Sequence, residues 1–118
     1  MTRVEARTYL SNNIALHKSP QTDSVPVEGV TAGRIVAYWP TEEEAKAGRY
    51  AIGLDGFIPA MIVGVWSEVG SMVPTVQLHL FLDPCNQSEF IAKGDFGVSS
   101  CMYSVIPAQR CWTWIPKA

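Results

Sequence analysis

Two histidines, His17 and His79, three cysteines, Cys85, Cys101 and Cys111, and three aspartates at turn signals, Asp55, Asp83 and Asp95, are the side chains of this 118-residue sequence best suited to chemistry. A nucleophilic triad needs a serine or cysteine on a sharp turn, a histidine base and an acid that orients it. No serine lies in a Gly-x-Ser-x-Gly elbow, His79 sits inside the alternating run Val76-Gln77-Leu78-His79-Leu80, and His17 lies in an irregular stretch. His79 with Cys85 and a later cysteine would supply ligands that zinc accepts, but the cysteine spacings of 16 and 10 match neither a zinc knuckle nor a disulfide framework. The thiols therefore read as small buried hydrophobes. Each aspartate precedes Gly, Pro or an aromatic at the end of an apolar run, where aspartate makes local turn hydrogen bonds. The expectation is a protein that is not an enzyme and needs no cofactor and no metal.

The elements that hold these residues belong to a chain rich in apolar and poor in charged residues. Hydrophobic types make up 47% and charged types 17%, so a real core is affordable and part of the exterior is expected to be covered by another protein or by copies of itself. The net charge of −2, with no block of Lys or Arg, argues against nucleic acid as a partner. No apolar run approaches the roughly 20 residues of a spanning helix, so a membrane is not expected either. Glu5 and the lack of a following apolar stretch argue against a secretory signal, which predicts folding in a cytoplasm.

Two units are expected, an N-terminal arm over 1–30 and a β domain over 31–118. Thr2 and Glu5 have capping-box spacing, and Val4, Ala6, Leu10 and Ile14 form a loose helical stripe, which predicts a short helix near 3–12. Asn12-Asn13, Ser19-Pro20, Asp23-Ser24 and Val25-Pro26 then punctuate the chain too often for regular structure. The β-rich run Arg34 to Trp39 stops at Pro40, and Thr41 with Glu44 forms a second capping box opening a short helical insertion that ends at Gly48. Strands are predicted at 50–53, at 59–66 with both faces apolar and buried, and at 73–82 with Val76, Leu78, Leu80 and Leu82 on one face. Three more follow at 89–92, 96–105 and 110–115. Such short strands between turns predict a mainly β fold, a small antiparallel barrel or a two-sheet sandwich, with one helical insertion and the arm.

Four tryptophans, Trp39, Trp66, Trp112 and Trp114, fit a core with a wet rim or an interface anchor. Trp112 and Trp114 are two apart in a strand and should share a face. With the tryptophans, Arg34, Arg49 and Arg110 supply the cations that a nucleotide-binding pocket would need, although no phosphate-cradling glycine loop accompanies them.

Four segments carry a resemblance. They are Gly33-Arg34-Ile35-Val36-Ala37-Tyr38, the run from Ile58 through Pro59-Ala60-Met61-Ile62-Val63-Gly64-Val65 to Trp66, the run from Val76 to Asp83, and the close Cys111-Trp112-Thr113-Trp114-Ile115-Pro116. In this order they resemble a group of small bacteriophage proteins that carry a glycine-led Ile-Val-x-Tyr strand, a Pro-Ala-Ile-Val-x-x-Val-Trp strand, a Val-x-Leu-x-Val-Phe-x-Asp strand and a terminal Thr-Trp-x-Trp-Pro. The chain departs from that pattern in its last residues, in the insertion at 41–48 and in the N-terminal arm. The resemblance implies a phage origin and no particular chemistry.

A phage setting makes an accessory structural protein of the virion the first expectation, most plausibly a capsid decoration or cement protein. It would be assembled in the host cytoplasm, would bind the major capsid protein or another virion protein, and would form a homo-oligomer. The partner-binding residues assigned to it are Leu16, His17, Val25 and Val27 on the arm and Trp39 at the end of the first strand of the β domain. An intracellular inhibitor of a host defence component, by protein contact or by sequestering a nucleotide, is the alternative. A tail or connector component with the same architecture is another.

Overall fold

The computed structural model describes residues 2, 4–5, 18–41, 43–44, 56–81 and 97–117. Five strands form a closed barrel in sequence order: β1 (Ile35–Trp39), β2 (Ile58–Val65), β3 (Thr75–Leu80), β4 (Gly97–Tyr103) and β5 (Cys111–Thr113). The fold is thus mainly β and a barrel, the first of the two architectures expected. It is not wholly antiparallel: β4 and β5 run parallel, Met102 opposite Cys111 and Tyr103 opposite Trp112. The intervening 104–110 turn sets the chain back in the same direction, and β5 then closes the barrel antiparallel to β1.

The core follows from alternation. Val36 and Tyr38 of β1, Ile58, Ala60 and Ile62 of β2, and Val76, Leu78 and Leu80 of β3 point inward and are buried. β1 is apolar on both faces because a second small core covers its outer side, where Ala37 and Trp39 pack under Phe57 and Ile115. Trp112 fills the barrel beside Tyr103 and Trp114, with ring centroids 4.9 and 5.2 Å away in edge-to-face geometry, so Trp112 and Trp114 do form an aromatic pair. The Pro74 carbonyl accepts both the Trp112 Nε1–H at 3.1 Å and the Tyr103 N–H at 3.0 Å, tying the start of β3 to β4 and β5.

Alternation fails at two places, and each is a bulge. In β2, Ile62 faces Leu78 while Gly64 faces Gln77, so Val63 is an extra residue. In β4, Val98 faces Leu78 while Cys101 faces Val76, so Ser99 and Ser100 together oppose Gln77, with Ser100 in the left-handed region at φ 54°. The first bulge overturns the expected sidedness of β2. Trp66, expected on the face of Ala60 and Ile62, turns out to solvent, and of Met61, Val63 and Val65, expected on a second buried face, Met61 is half-buried while Val63 and Val65 are exposed. The second bulge brings Val98 and Cys101 to the same inner side although strict alternation separates them.

Residues 18–30 contain no strand and lie against the barrel. Gln21 donates its N–H to the buried Ser104 Oγ at 3.0 Å and accepts the Val105 N–H at 2.9 Å. Val27 donates to the Ser71 carbonyl at 3.0 Å, and Val27 and Val30 pack on the barrel core. The described part of the expected arm is therefore attached to the domain rather than separate from it.

Both capping-box spacings correspond to hydrogen bonds. Thr41 Oγ1 accepts the Glu44 N–H and Glu44 Oε1 accepts the Thr41 N–H, both at 3.0 Å, while Thr2 Oγ1 accepts the Glu5 N–H at 3.1 Å. The remainder of the helices expected at 3–12 and 41–48, the strands expected at 50–53 and 89–92, and Leu82, Asp55, Asp83, Cys85, Asp95 and Arg49 lie outside the described residues.

Candidate protein-binding surface

Of the residues suited to chemistry, His79, Cys101 and Cys111 are described, and the structure does not bring His79 to the two thiols. His79 is exposed on the outer side of β3, while Cys101 is buried inside the barrel, so the barrel wall separates them. Burial pushes both described thiols up: Cys111 to about 11, and Cys101 further still, burial being the larger cause and the neighbouring Cys111 the second. Both Sγ atoms face backbone carbonyls, Cys101 that of Arg110 at 3.5 Å and Cys111 that of Gln109 at 3.4 Å. Thiols held neutral in this way are poor nucleophiles. Among the described residues no three His, Cys, Asp or Glu side chains gather into a group able to hold a metal ion.

The two described arginines of the supposed nucleotide site also stand apart. Arg34, just before β1, lies over the Trp114 ring with its guanidinium carbon 5.0 Å from the centroid. Arg110 meets the other end of β1, donating its N–H to the Trp39 carbonyl at 2.9 Å and its Nη2 to the Ser99 carbonyl at 3.3 Å. The five-residue strand β1 holds them at opposite ends, so they do not converge on one anion.

The exterior is more informative. None of the five strands contains Asp, Glu, Lys or Arg. On the outer side of β2–β4 the chain exposes Trp66 (67%), Val63 (50%), Phe81 (45%) and Met102 (42%), with Ile35 alongside on β1 (46%). Their polar neighbours, Thr75, Gln77, His79 and Ser99, have no permanent charge. The first bulge creates much of this wall, because it aims Trp66 outward to the same side as Thr75 and Met102, residues paired across β3 and β4.

A groove of about 390 Å³ opens next to the wall. One bank is residues 26–31 and the other is β2's end with the β2–β3 connection, and Val27, Val30, Val65, Val69 and Pro74 supply its apolar lining. The same bulge directs Val65 to this side, opposite the buried Val76. Two exposed carboxylates, Glu28 and Glu68, stand on its banks. Gly29, at φ 76°, lets the near bank pass close to Arg34: a Cβ there would come within 3.3 Å of Nη1.

Of the five residues assigned to a partner, Leu16 and His17 lie outside the described residues. Val25 is exposed at 57% next to the groove, and Val27 is half-buried in its lining. Trp39 requires a correction. It is fully buried, its ring 5.5 Å from Phe57, and its Nε1–H is bonded to Thr113 Oγ1, so it offers no surface to a partner. Trp66 and Val69 are the surface residues that reading the sequence missed. Val69 lies in the turn-rich Ser67-Glu68-Val69-Gly70-Ser71, where an isolated valine signals a surface position, but Trp66 has no such signal before the bulge is known.

No family model, no curated protein and no solved structure matches the chain.

Proposed function

We propose that the protein is an accessory structural protein of a bacteriophage particle, a capsid decoration protein that works by protein–protein contact. One observation carries the binding part of this reading: among the described residues, strands β2–β4 contain no Asp, Glu, Lys or Arg, and their outer side exposes Trp66, Val63, Met102 and Phe81. Interface centres are depleted in charge and enriched in tryptophan and methionine, whereas a monomer's solvated sheet face ordinarily carries charged residues. The phage setting comes from the strand pattern of residues 33–116 and from nothing else.

Closure of the barrel shapes how such a protein would bind. Every strand of the closed barrel is paired on both sides, although β5 covers only Met102 and Tyr103 of β4, so contact is assigned to side chains and loops rather than to strand addition. Since residues 18–30 are bonded to the barrel, contact with the shell is assigned to the exposed outer side of β2–β4 and to the adjoining groove that 26–31 helps to build. The nucleotide-sequestering alternative has no comparable support, because Arg34 and Arg110 share no site.

The polypeptides of purified virions of the phage that encodes the chain provide the test. The protein should be present there at many copies per particle and should rebind particles stripped of it. If it is missing from virions and does not bind them, the decoration reading fails.

A further inference from the structure

We propose that the groove between residues 26–31 and the β2–β3 connection binds an extended peptide segment of another protein, one that carries an apolar side chain beside a lysine or arginine. The assignment rests on the reading that this protein works by protein–protein contact and is independent of the virion setting.

The two banks are fastened to each other and shaped by their own turns. Both lie within continuous described stretches, 18–41 and 56–81, and the Val27 N–H crosses from one bank to the Ser71 carbonyl of the other at 3.0 Å. On the far bank the Ser71 N–H returns to the Glu68 carbonyl at 3.3 Å, and Gly29 and Gly70, one on each bank, take φ of 76° and 87° that a side chain would strain. At about 390 Å³ the cleft falls within the roughly 300–1,000 Å³ of ordinary ligand sites, and Val27, Val30, Val65, Val69 and Pro74 give it an apolar floor.

Charge and backbone select the occupant. Glu28 stands on one bank and Glu68 on the other, both exposed, and neither carboxylate has an ion pair or hydrogen bond among the described residues. Arg34, which approaches Gly29, is turned over the Trp114 ring and does not line the groove. Two unpaired carboxylates beside an apolar floor attract a chain that offers both an apolar side chain and a cation, and they repel nucleotides and acidic segments. The backbone N–H and C=O groups of Glu28, Gly29 and Val30 also make no hydrogen bond among the described residues. They form a polar strip along the near bank that can pair with the main chain of an extended peptide, a match that a compact organic cation lacks. The apolar side chain of the peptide then enters the floor, and the Lys or Arg beside it reaches a carboxylate on the bank.

The experiment screens a bead-bound library of random heptapeptides, acetylated at the free end, against the full chain and titrates the enriched peptides by fluorescence anisotropy. Enriched sequences should carry Lys or Arg beside an apolar residue, and on binding the amide resonances of residues 26–31 and 65–71 should shift. Glu28→Lys combined with Glu68→Lys should weaken binding by about tenfold or more, the loss of two exposed ion pairs, and raised salt should weaken it in the wild type. Thr31→Trp, which places a ring in the groove from an exposed position, should weaken binding as much while keeping the wild-type circular dichroism and thermal midpoint. If it perturbs the fold, Val69→Ser removes part of the floor at a fully exposed position instead. Failure to enrich any peptide, enrichment of acidic or uncharged sequences, or binding insensitive to the charge-reversed and groove variants overturns the proposal. A chain that enriches no peptide yet binds virions would defeat the groove assignment and leave the decoration reading standing, and a peptide-binding chain that is missing from virions and does not bind them would do the reverse.

Discussion

The indole Nε1–H of Trp39 donates to Thr113 Oγ1, 3.0 Å away, joining β1 to β5 on the outer side of the barrel where the two strands close it. Both partners are buried, and the Thr113 hydroxyl in turn donates a hydrogen bond to the Trp114 carbonyl at 2.8 Å. Thr113→Val keeps the shape but leaves the buried indole donor unpaired, at a cost of about 1–3 kcal/mol. Thr113→Ser should recover most of that loss in urea unfolding. Equal stability of the valine and threonine proteins would show that the bond contributes nothing.

Two tryptophans should respond in opposite ways to truncation. Trp39→Ala empties a packed site and should destabilise by about 3–5 kcal/mol, enough to threaten folding of a small domain. Trp66→Ala removes a solvent-exposed ring and should change monomer stability by no more than about 0.5 kcal/mol. Denaturation midpoints at low protein concentration, where association does not contribute, measure both.

The β4 bulge holds Ser100 at φ 54°, a conformation that costs L-residues roughly 1–2 kcal/mol. Ser100 already carries that cost, so Ser100→Gly should stabilise by up to about 1 kcal/mol, and Ser100→Val, β-branched at a left-handed position, should destabilise relative to serine. If valine is tolerated as well as glycine, Ser100 does not hold the bulge in this geometry.

Tyr38 is buried, and its hydroxyl donates to Glu44 Oε1 at 2.9 Å, the same oxygen that accepts the Thr41 N–H. The contact fastens the start of the 41–48 insertion to β1. Tyr38→Phe should cost about 1.5–3 kcal/mol, the range for a hydrogen bond to a charged acceptor, and should increase amide exchange at Thr41 and Glu44. Unchanged exchange there would separate the insertion from β1.

The thiols give a pH dependence of definite sign. Burial raises Cys111 to about 11 from an ordinary 9.0 and raises Cys101 further, so the folded state holds these protons more tightly than the unfolded chain does. Stability from this source is fully present below pH 9 and declines as pH rises through the folded values, because the unfolded chain gains by ionising first. Urea midpoints at pH 8 and pH 10.5 should differ less for Cys101→Ala than for the wild type. A wild type with no alkaline decline would mean that the thiols are more accessible than their burial implies.

Much of the barrel was legible in the sequence. Val76-Gln77-Leu78-His79-Leu80 alternates without interruption, and β3 buries Val76, Leu78 and Leu80 as period-two reading requires. Pro40 ends β1 after Trp39, and Thr41 with Glu44 makes the capping box that its spacing announces. Each of these signals is local: a side-chain period, a missing N–H, a hydrogen bond over three residues.

What the sequence determined by itself was a mainly β domain rich in apolar and poor in charged residues. The tertiary structure alone decided how that apolar content divides between core and surface. Val63 and the Ser99–Ser100 pair look like any other strand residues, yet each is extra relative to its partner strand, and the mismatch exists only once two strands are paired. One such residue turns Trp66 from the inner side to solvent and Val65 toward the groove, while Phe57 and Ile115, distant in sequence, cover the outward Trp39. The tryptophan expected at a surface is therefore core, and the one expected in the core stands on the surface, because register and cover belong to pairs of segments and not to either segment alone.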